Sequence, residues 1–134
     1  RLLVIPSLGP RVSCRDRETI DRWVRTGATL VLACGPEDSA HLRAWAMLDG
    51  ADITAEPLGN GPALTKDGAA AQACDAFELR LSAAHWRPLL WRFGTPFAAE
   101  RPYGAGRVLL LADPALLTNR GLQTPAAVQW LRET

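Results

Sequence analysis

Lysine is almost missing from this sequence. Of its 15 basic residues only Lys66 is a lysine, and the rest are arginine. Ala, Leu, Gly and Pro are abundant along the whole chain, so the bias points to a GC-rich genome rather than to an arginine-specific task. An excess of one charge is missing too: 15 basic side chains face 14 acidic ones, for a net charge of +1. That removes the electrostatic footprint that nucleic acid or an anionic membrane surface would demand. No apolar run approaches the roughly 20 residues of a membrane-spanning helix. Cysteine is sparse. Cys14, Cys34 and Cys74 are widely spaced, no Cys-x-x-Cys pair occurs, and only His41 and His85 are there to join them. This pattern argues against a zinc site and leaves open whether one disulfide forms. The default for each cysteine is a small buried apolar residue. A phosphate-cradling glycine loop is also absent. Gly104-Ala105-Gly106 precedes an apolar strand instead of joining a strand to a helix, so it reads as a turn. No cofactor and no metal are expected.

What is there is enough apolar residue for one core. The chain has 134 residues, of which 48% are hydrophobic, and that suits one domain spanning 1–134 rather than two. Arg1 is followed at once by the strand-like run Leu2-Leu3-Val4-Ile5. A strand so close to the first residue suggests a domain cut from a longer protein.

The first third has the rhythm of a β-α-β unit. After the Pro6–Pro10 break, Ser13 is placed to cap a helix, with Asp16 three residues on. Ile20, Trp23 and Val24 recur at helical spacing, and Gly27 suits the residue after the helix. Thr29 to Cys34 is a second apolar run. Continuous apolar runs suggest strands buried on both faces, as in a parallel sheet. A second helix is expected over 40–48, with Leu42 and Trp45 on its inner face. A third strand is expected over 51–57, followed by a loop-rich stretch through Asn60-Gly61-Pro62 and Lys66-Asp67-Gly68. The middle of the chain changes character. Phe77, Leu79 and Leu81 alternate with polar residues, and short strands follow over 86–93 and 95–101. Arg107 to Ala112 is the clearest buried strand. Pro125, after Thr124, opens a last helix through Arg132. The order β-α-β-α-β, an antiparallel insert, then β-α predicts an α/β sandwich with helices over a mainly parallel sheet.

In such a sheet, ligands gather at the carboxyl ends of the parallel strands. Three loops lie there. Ser7 belongs to the first, Cys34 and its neighbours to the second, and Asp113, Asn119 and Arg120 to the third. Asp113 would bind a ligand hydroxyl or orient a base; its bland reading is an Asp-Pro turn. Cys34 ends a strand and precedes a helix, where a thiol can be activated. Yet Leu32 and Pro36 occupy the positions where a nucleophile elbow wants glycine. The basic run from Arg11 to Arg25 is interleaved with Asp16, Glu18 and Asp21, the pattern of a solvated helix face.

The segment Tyr103-Gly104-Ala105-Gly106-Arg107-Val108-Leu109-Leu110-Leu111-Ala112-Asp113-Pro114, with Leu117-Thr118-Asn119-Arg120-Gly121-Leu122 after it, resembles the C-terminal signature of a bacterial family known as domain of unknown function 4350. Ile20-Asp21-Arg22-Trp23-Val24-Arg25-Thr26-Gly27 before an apolar strand resembles its helix-to-strand element. Together with the strand Ala28-Thr29-Leu30-Val31-Leu32 that follows the helix, the two matches span about a quarter of the chain. The resemblance implies a three-layer α/β sandwich of flavodoxin-like, class I glutamine amidotransferase-like type, with a small antiparallel β insertion. It implies a parent anchored in the bacterial membrane, with this domain on the extracytoplasmic side. It implies no activity. Asp113 and Asn119 match the family's recurrent polar positions, whereas the amidotransferase nucleophile elbow and histidine have no counterpart here.

Two functional readings follow. The first is a non-catalytic ligand- or protein-binding domain of a bacterial membrane-anchored protein, with Ser7, Asp113, Asn119 and Arg120 at its site and an unidentified small molecule or protein as partner. The alternative is a divergent amidotransferase-like hydrolase using Cys34 as nucleophile. A spacer or dimerisation domain is a third, and the oligomeric state is open.

Overall fold

The computed structural model describes residues 2–5, 13–65, 70–82 and 84–115, without the side chains of 65, 70–72 and 74. Strand β1 (Leu2–Ile5) leads to helix α1 (Cys14–Arg25), which crosses over to β2 (Thr29–Ala33). Ser13 and Asp16 close a reciprocal capping box on α1: the Asp16 amide donates to Ser13 Oγ and the Ser13 amide to Asp16 Oδ2. Two of the orphan amides at the helix start are thereby satisfied. Val24 is buried, and Ile20 and Trp23 pack against the same core. The expected helix over 40–48 is shorter. It runs as α2 (Ser39–Ala44), stops at Trp45, whose backbone is extended, and resumes as a 3-10 turn at Ala46–Leu48.

The remaining strands are β3 (Ala51–Thr65), β4 (Ala70–Leu81), β5 (Arg87–Arg92), β6 (Thr95–Tyr103) and β7 (Gly106–Leu111). All seven form one sheet in the order β1-β2-β7-β6-β5-β3-β4. Only β1–β2 and β2–β7 pair in parallel. The pairs β3–β4, β3–β5, β5–β6 and β6–β7 are antiparallel.

The expectation of a mainly parallel, flavodoxin-like or glutamine amidotransferase-like three-layer sandwich is therefore wrong, and so is that of a small antiparallel insertion. The antiparallel part is the larger part, and only two α-helices occur among the described residues. The reason lies in the connections. Parallel neighbours need a long crossover, which α1 supplies once. The two-residue links Phe93-Gly94 and Gly104-Ala105 leave no choice but antiparallel hairpins. The part of the expected loop from Leu58 to Thr65 stays in the sheet, and Lys66-Asp67-Gly68 lies outside the described residues. Three register shifts between Ile53 and Gly61 absorb its breakers as β-bulges. The apolar runs of β2 and β7 are buried on both faces as expected, with Leu30 to Ala33 and Val108 to Leu111 inaccessible.

The bulged β3–β4 hairpin curls back across the sheet. The Phe77 amide donates to the Ala112 carbonyl at 2.7 Å, which brings β4 to the far end of β7. Trp86 closes the other side, its indole N–H donating to the Asp49 carbonyl at 2.8 Å. The Arg101 guanidinium lies over both the Trp86 and Tyr103 rings and donates to the Met47 carbonyl.

Candidate functional site

Ser7, Asn119 and Arg120 lie outside the described residues, as does the expected last helix. Of the polar residues singled out from sequence, the structure describes Asp113 and Cys34. Both are fully buried. Asp113 follows β7, and its Oδ1 accepts from the backbone amides of Asp75 (3.0 Å) and Ala115 (3.2 Å). The first of these bonds ties β4 to the end of β7, so this carboxylate has a structural task.

Cys34 follows β2, and its amide donates to the Leu111 carbonyl at 2.8 Å. Burial pushes its thiol well above the ordinary range, and the negative charges of Asp38 and Glu37 push the same way. Asp38 is itself buried and accepts from the Gly35 amide at 3.0 Å. Among the described residues neither His41 nor His85 hydrogen-bonds to Cys34. A thiol so placed holds its proton, which is the reverse of what a nucleophile needs.

This has a measurable consequence with a definite sign. Above the free thiol pKa of about 8.5 the unfolded chain releases the Cys34 proton and the folded chain retains it. Stability must then fall as pH rises, by up to about 1.4 kcal/mol per pH unit, and Cys34 adds no slope below that range. Urea melts of the reduced protein across that range should show the decline, and Cys34→Ala should flatten it. Equal slopes in both proteins would mean that the thiol ionises in the folded state. Alkylation at neutral pH should mark the exposed Cys14 and spare Cys34.

A second place in the molecule carries strain and exposure together. The β5–β6 hairpin turns on Phe93-Gly94, with φ of 52° and 74°. Positive φ at both central residues is the demand of a type I′ turn, which favours Asn-Gly or Asp-Gly. A bulky aromatic there costs on the order of 1–3 kcal/mol. Phe93 is also 82% exposed, so burial returns nothing for that cost.

The surroundings hold the ring outward. The Arg92 guanidinium lies 4.3 Å from the Phe93 ring centroid. It is held in turn by β3, with Nε donating to the Leu58 carbonyl at 2.6 Å and Nη1 to the Pro62 carbonyl at 2.9 Å. Gly61 leaves room for this clamp, because a Cβ there would lie 2.7 Å from Arg92 Nη1. Leu64, paired with Trp91 across β3–β5, is 59% exposed. Between these residues runs an open cavity of 590 Å³, lined by Pro62, Ala63, Leu64, Trp91 and Phe93 with Arg92 and Gly94. An apolar groove with a preset aromatic beside it is suited to docking another apolar side chain, not to acid–base or nucleophilic chemistry.

Sequence reasoning missed this site by running a strand through Phe93. The available signal was Gly94 between two strand-like runs, masked by a first turn residue that the turn type disfavours.

The family model described as domain of unknown function (DUF4350) matches residues 1–129. No curated protein matches the chain significantly. Among solved structures, the exo-beta-1,4-mannosidase Op5Man5 from Opitutaceae bacterium strain TAV5 is 18% identical with a TM-score of 0.66, over 98% of this chain and 25% of that one. The mmIFT52 N-terminal domain is 10% identical with a TM-score of 0.70, over 98% of this chain and 73% of that one. The cytoplasmic protein STM3548 from Salmonella typhimurium is 16% identical with a TM-score of 0.60, over 98% of this chain and 69% of that one. At these identities the likeness is one of fold. The chain spans a quarter of the mannosidase's length.

Proposed function

The chain belongs to the DUF4350 family, and on that premise we propose that it is a non-catalytic protein-binding domain whose contact surface is the β3–β5 face at the Phe93 turn. The family description supplies no activity, so the reading rests on the molecule. One observation carries it: an aromatic ring held outward on a strained turn, beside an apolar groove. Folding alone would select Asn or Gly at that position. A retained cost whose only described return in the folded state is the Arg92 stacking points to a task performed on contact.

Hydrolysis through Cys34 has less in its favour. Its thiol is buried, its proton is held, and no imidazole engages it among the described residues. Our reading sets the domain in the extracytoplasmic part of a membrane-anchored bacterial protein, and the family resemblance is its support. No helix among the described residues is long and apolar enough to cross a membrane.

The test exploits the opposition between folding and binding. Phe93→Asn should raise stability by about 1 kcal/mol, the worth of relieving a disfavoured left-handed residue. A photo-crosslinking amino acid at position 93 of the full-length protein in its native cell should give a discrete protein adduct. The adduct should disappear when Leu64→Asp is added, and a probe at the exposed Arg80 should give none. An adduct pattern at 93 no different from that at 80, or a Phe93→Asn protein less stable than the parent, would defeat the proposal.

A further inference from the structure

The Phe93 groove opens where a ladder stops. Strands β3 and β5 pair at two positions, Leu64 with Trp91 and Thr65 with Leu90. Beyond them the Arg92 side chain spans the gap, donating to the Leu58 and Pro62 carbonyls. A visiting strand cannot take that place. Both carbonyls already accept from Arg92, and Pro62 has no N–H to offer. The recess therefore suits an inserted side chain and not an added strand.

Its charge is one-sided. Arg92 is the single ionisable residue among those that line it. It forms no ion pair among the described residues. Its hydrogen bonds there run from Nε and Nη1, and both end on neutral carbonyls. A guanidinium carries five N–H groups, so the remaining ones, those of Nη2 included, have no acceptor among the described residues. The Nη1 bond lies in an exposed position, which leaves the head of this side chain open to an approaching anion. The cation is also fixed. Two carbonyls of β3 set its rotamer and the Phe93 ring lies over it, so a partner would not have to order it. The groove thus joins an apolar slot to one immobilised, uncompensated positive charge.

We infer that the partner enters this groove through a short segment in which a large apolar side chain stands beside an aspartate or a glutamate. The inference rests on the protein-binding reading of the same groove and adds the chemistry of what enters it. The apolar side chain lies against Leu64, Trp91 and Phe93. The carboxylate takes the Arg92 N–H groups left open, in a charge-assisted bond. A basic segment would meet a fixed like charge, and a wholly apolar one would dry the groove around a cation it cannot pair.

Random twelve-residue peptides displayed on phage serve as the probe against the full chain, with Leu64→Asp as the counter-selection. The selected peptides should share an aromatic or large aliphatic residue within about two positions of an acid. In one such peptide, exchanging the acid for its amide should weaken binding about tenfold, the scale of one charge-assisted contact. Arg92→Gln keeps a donor for the β3 carbonyls. It should weaken the acidic peptide about tenfold more than the amide peptide, the coupling of a direct pair. Equal weakening of both peptides would leave Arg92 a clamp only and overturn the inference. So would selected peptides without an acid, or none that depends on Leu64. Self-association of the chain that Leu64→Asp abolishes would give the groove to a second copy and overturn it as well. The adduct at position 93 separates the two failures. Where it is discrete, protein binding survives the loss of the acidic partner; where it is absent, both readings fall.

Discussion

Gly106→Ala should cost about 3 kcal/mol of folding stability, the upper part of the range for forcing a methyl group into a filled space. A Cβ at Gly106 would lie 2.2 Å from the carbonyl oxygens of both Val24 and Ala28 and 3.0 Å from the Ala28 amide nitrogen. All three are backbone atoms, so no side-chain rotation relieves the clash. Nor is that backbone free to move. The Ala105 amide donates to the Arg25 carbonyl at 2.9 Å and the Arg107 amide to the Ala28 carbonyl at 3.1 Å. The β6–β7 turn is thus seated on the C-terminal end of α1, and Gly106 is the point of closest approach. Gly94→Ala is the comparison. Its φ is 74°, yet a Cβ there meets nothing within 4 Å, so the cost should be only the roughly 1 kcal/mol of a left-handed alanine. Urea unfolding of both variants decides the matter. If Gly106→Ala loses no more than Gly94→Ala, the close seating of the turn on α1 is not as described.

The same turn shows how far the residues alone could be read. Gly104-Ala105-Gly106 was recognisable as a turn and as part of a family resemblance, but its second glycine has a reason that no local rule supplies. The reason is α1, some 80 positions earlier in the chain, pressed against it. Features set by neighbours in sequence were legible: Ser13 and Asp16 as caps, Val24 on the inner face, and the apolar run of β7 as a buried strand. Strand direction was not. A run such as Val108 to Leu111 reports burial on both faces and says nothing of whether its neighbour runs parallel. Here β7 has one partner of each kind. The breakers Gly59, Gly61 and Pro62 were also misleading, because a long twisted hairpin can take up such residues as bulges without leaving the sheet. Phe93 escaped notice for the opposite reason. Its residue type contradicts its conformation, and that contradiction exists only once the backbone is known.

Asp113 sits at the junction of these two kinds of information. Sequence offers two readings of it, a residue that binds a ligand and a residue that shapes a turn. They make opposite predictions for stability. A carboxylate kept for a ligand is a burden to the empty protein, and its removal should leave stability unchanged or raise it. A buried carboxylate that holds two backbone amides should be missed. Asp113 accepts from the Asp75 amide, 38 residues away, and from the Ala115 amide beside it. Asp113→Ala should therefore cost about 2 kcal/mol, for the loss of hydrogen bonds to a charged acceptor. Asp113→Asn keeps one acceptor oxygen and should cost about half as much. The location of the loss matters as much as its size. The Phe77 amide is joined to the Ala112 carbonyl next to this carboxylate, so amide exchange in Asp113→Ala should quicken first at Asp75 and Phe77. The β2–β7 ladder, whose pairing Asp113 does not touch, should open only with the whole molecule. Exchange that quickens uniformly would mean a general loss of stability rather than a released hairpin. A variant as stable as the parent would return Asp113 to the list of residues kept for a ligand.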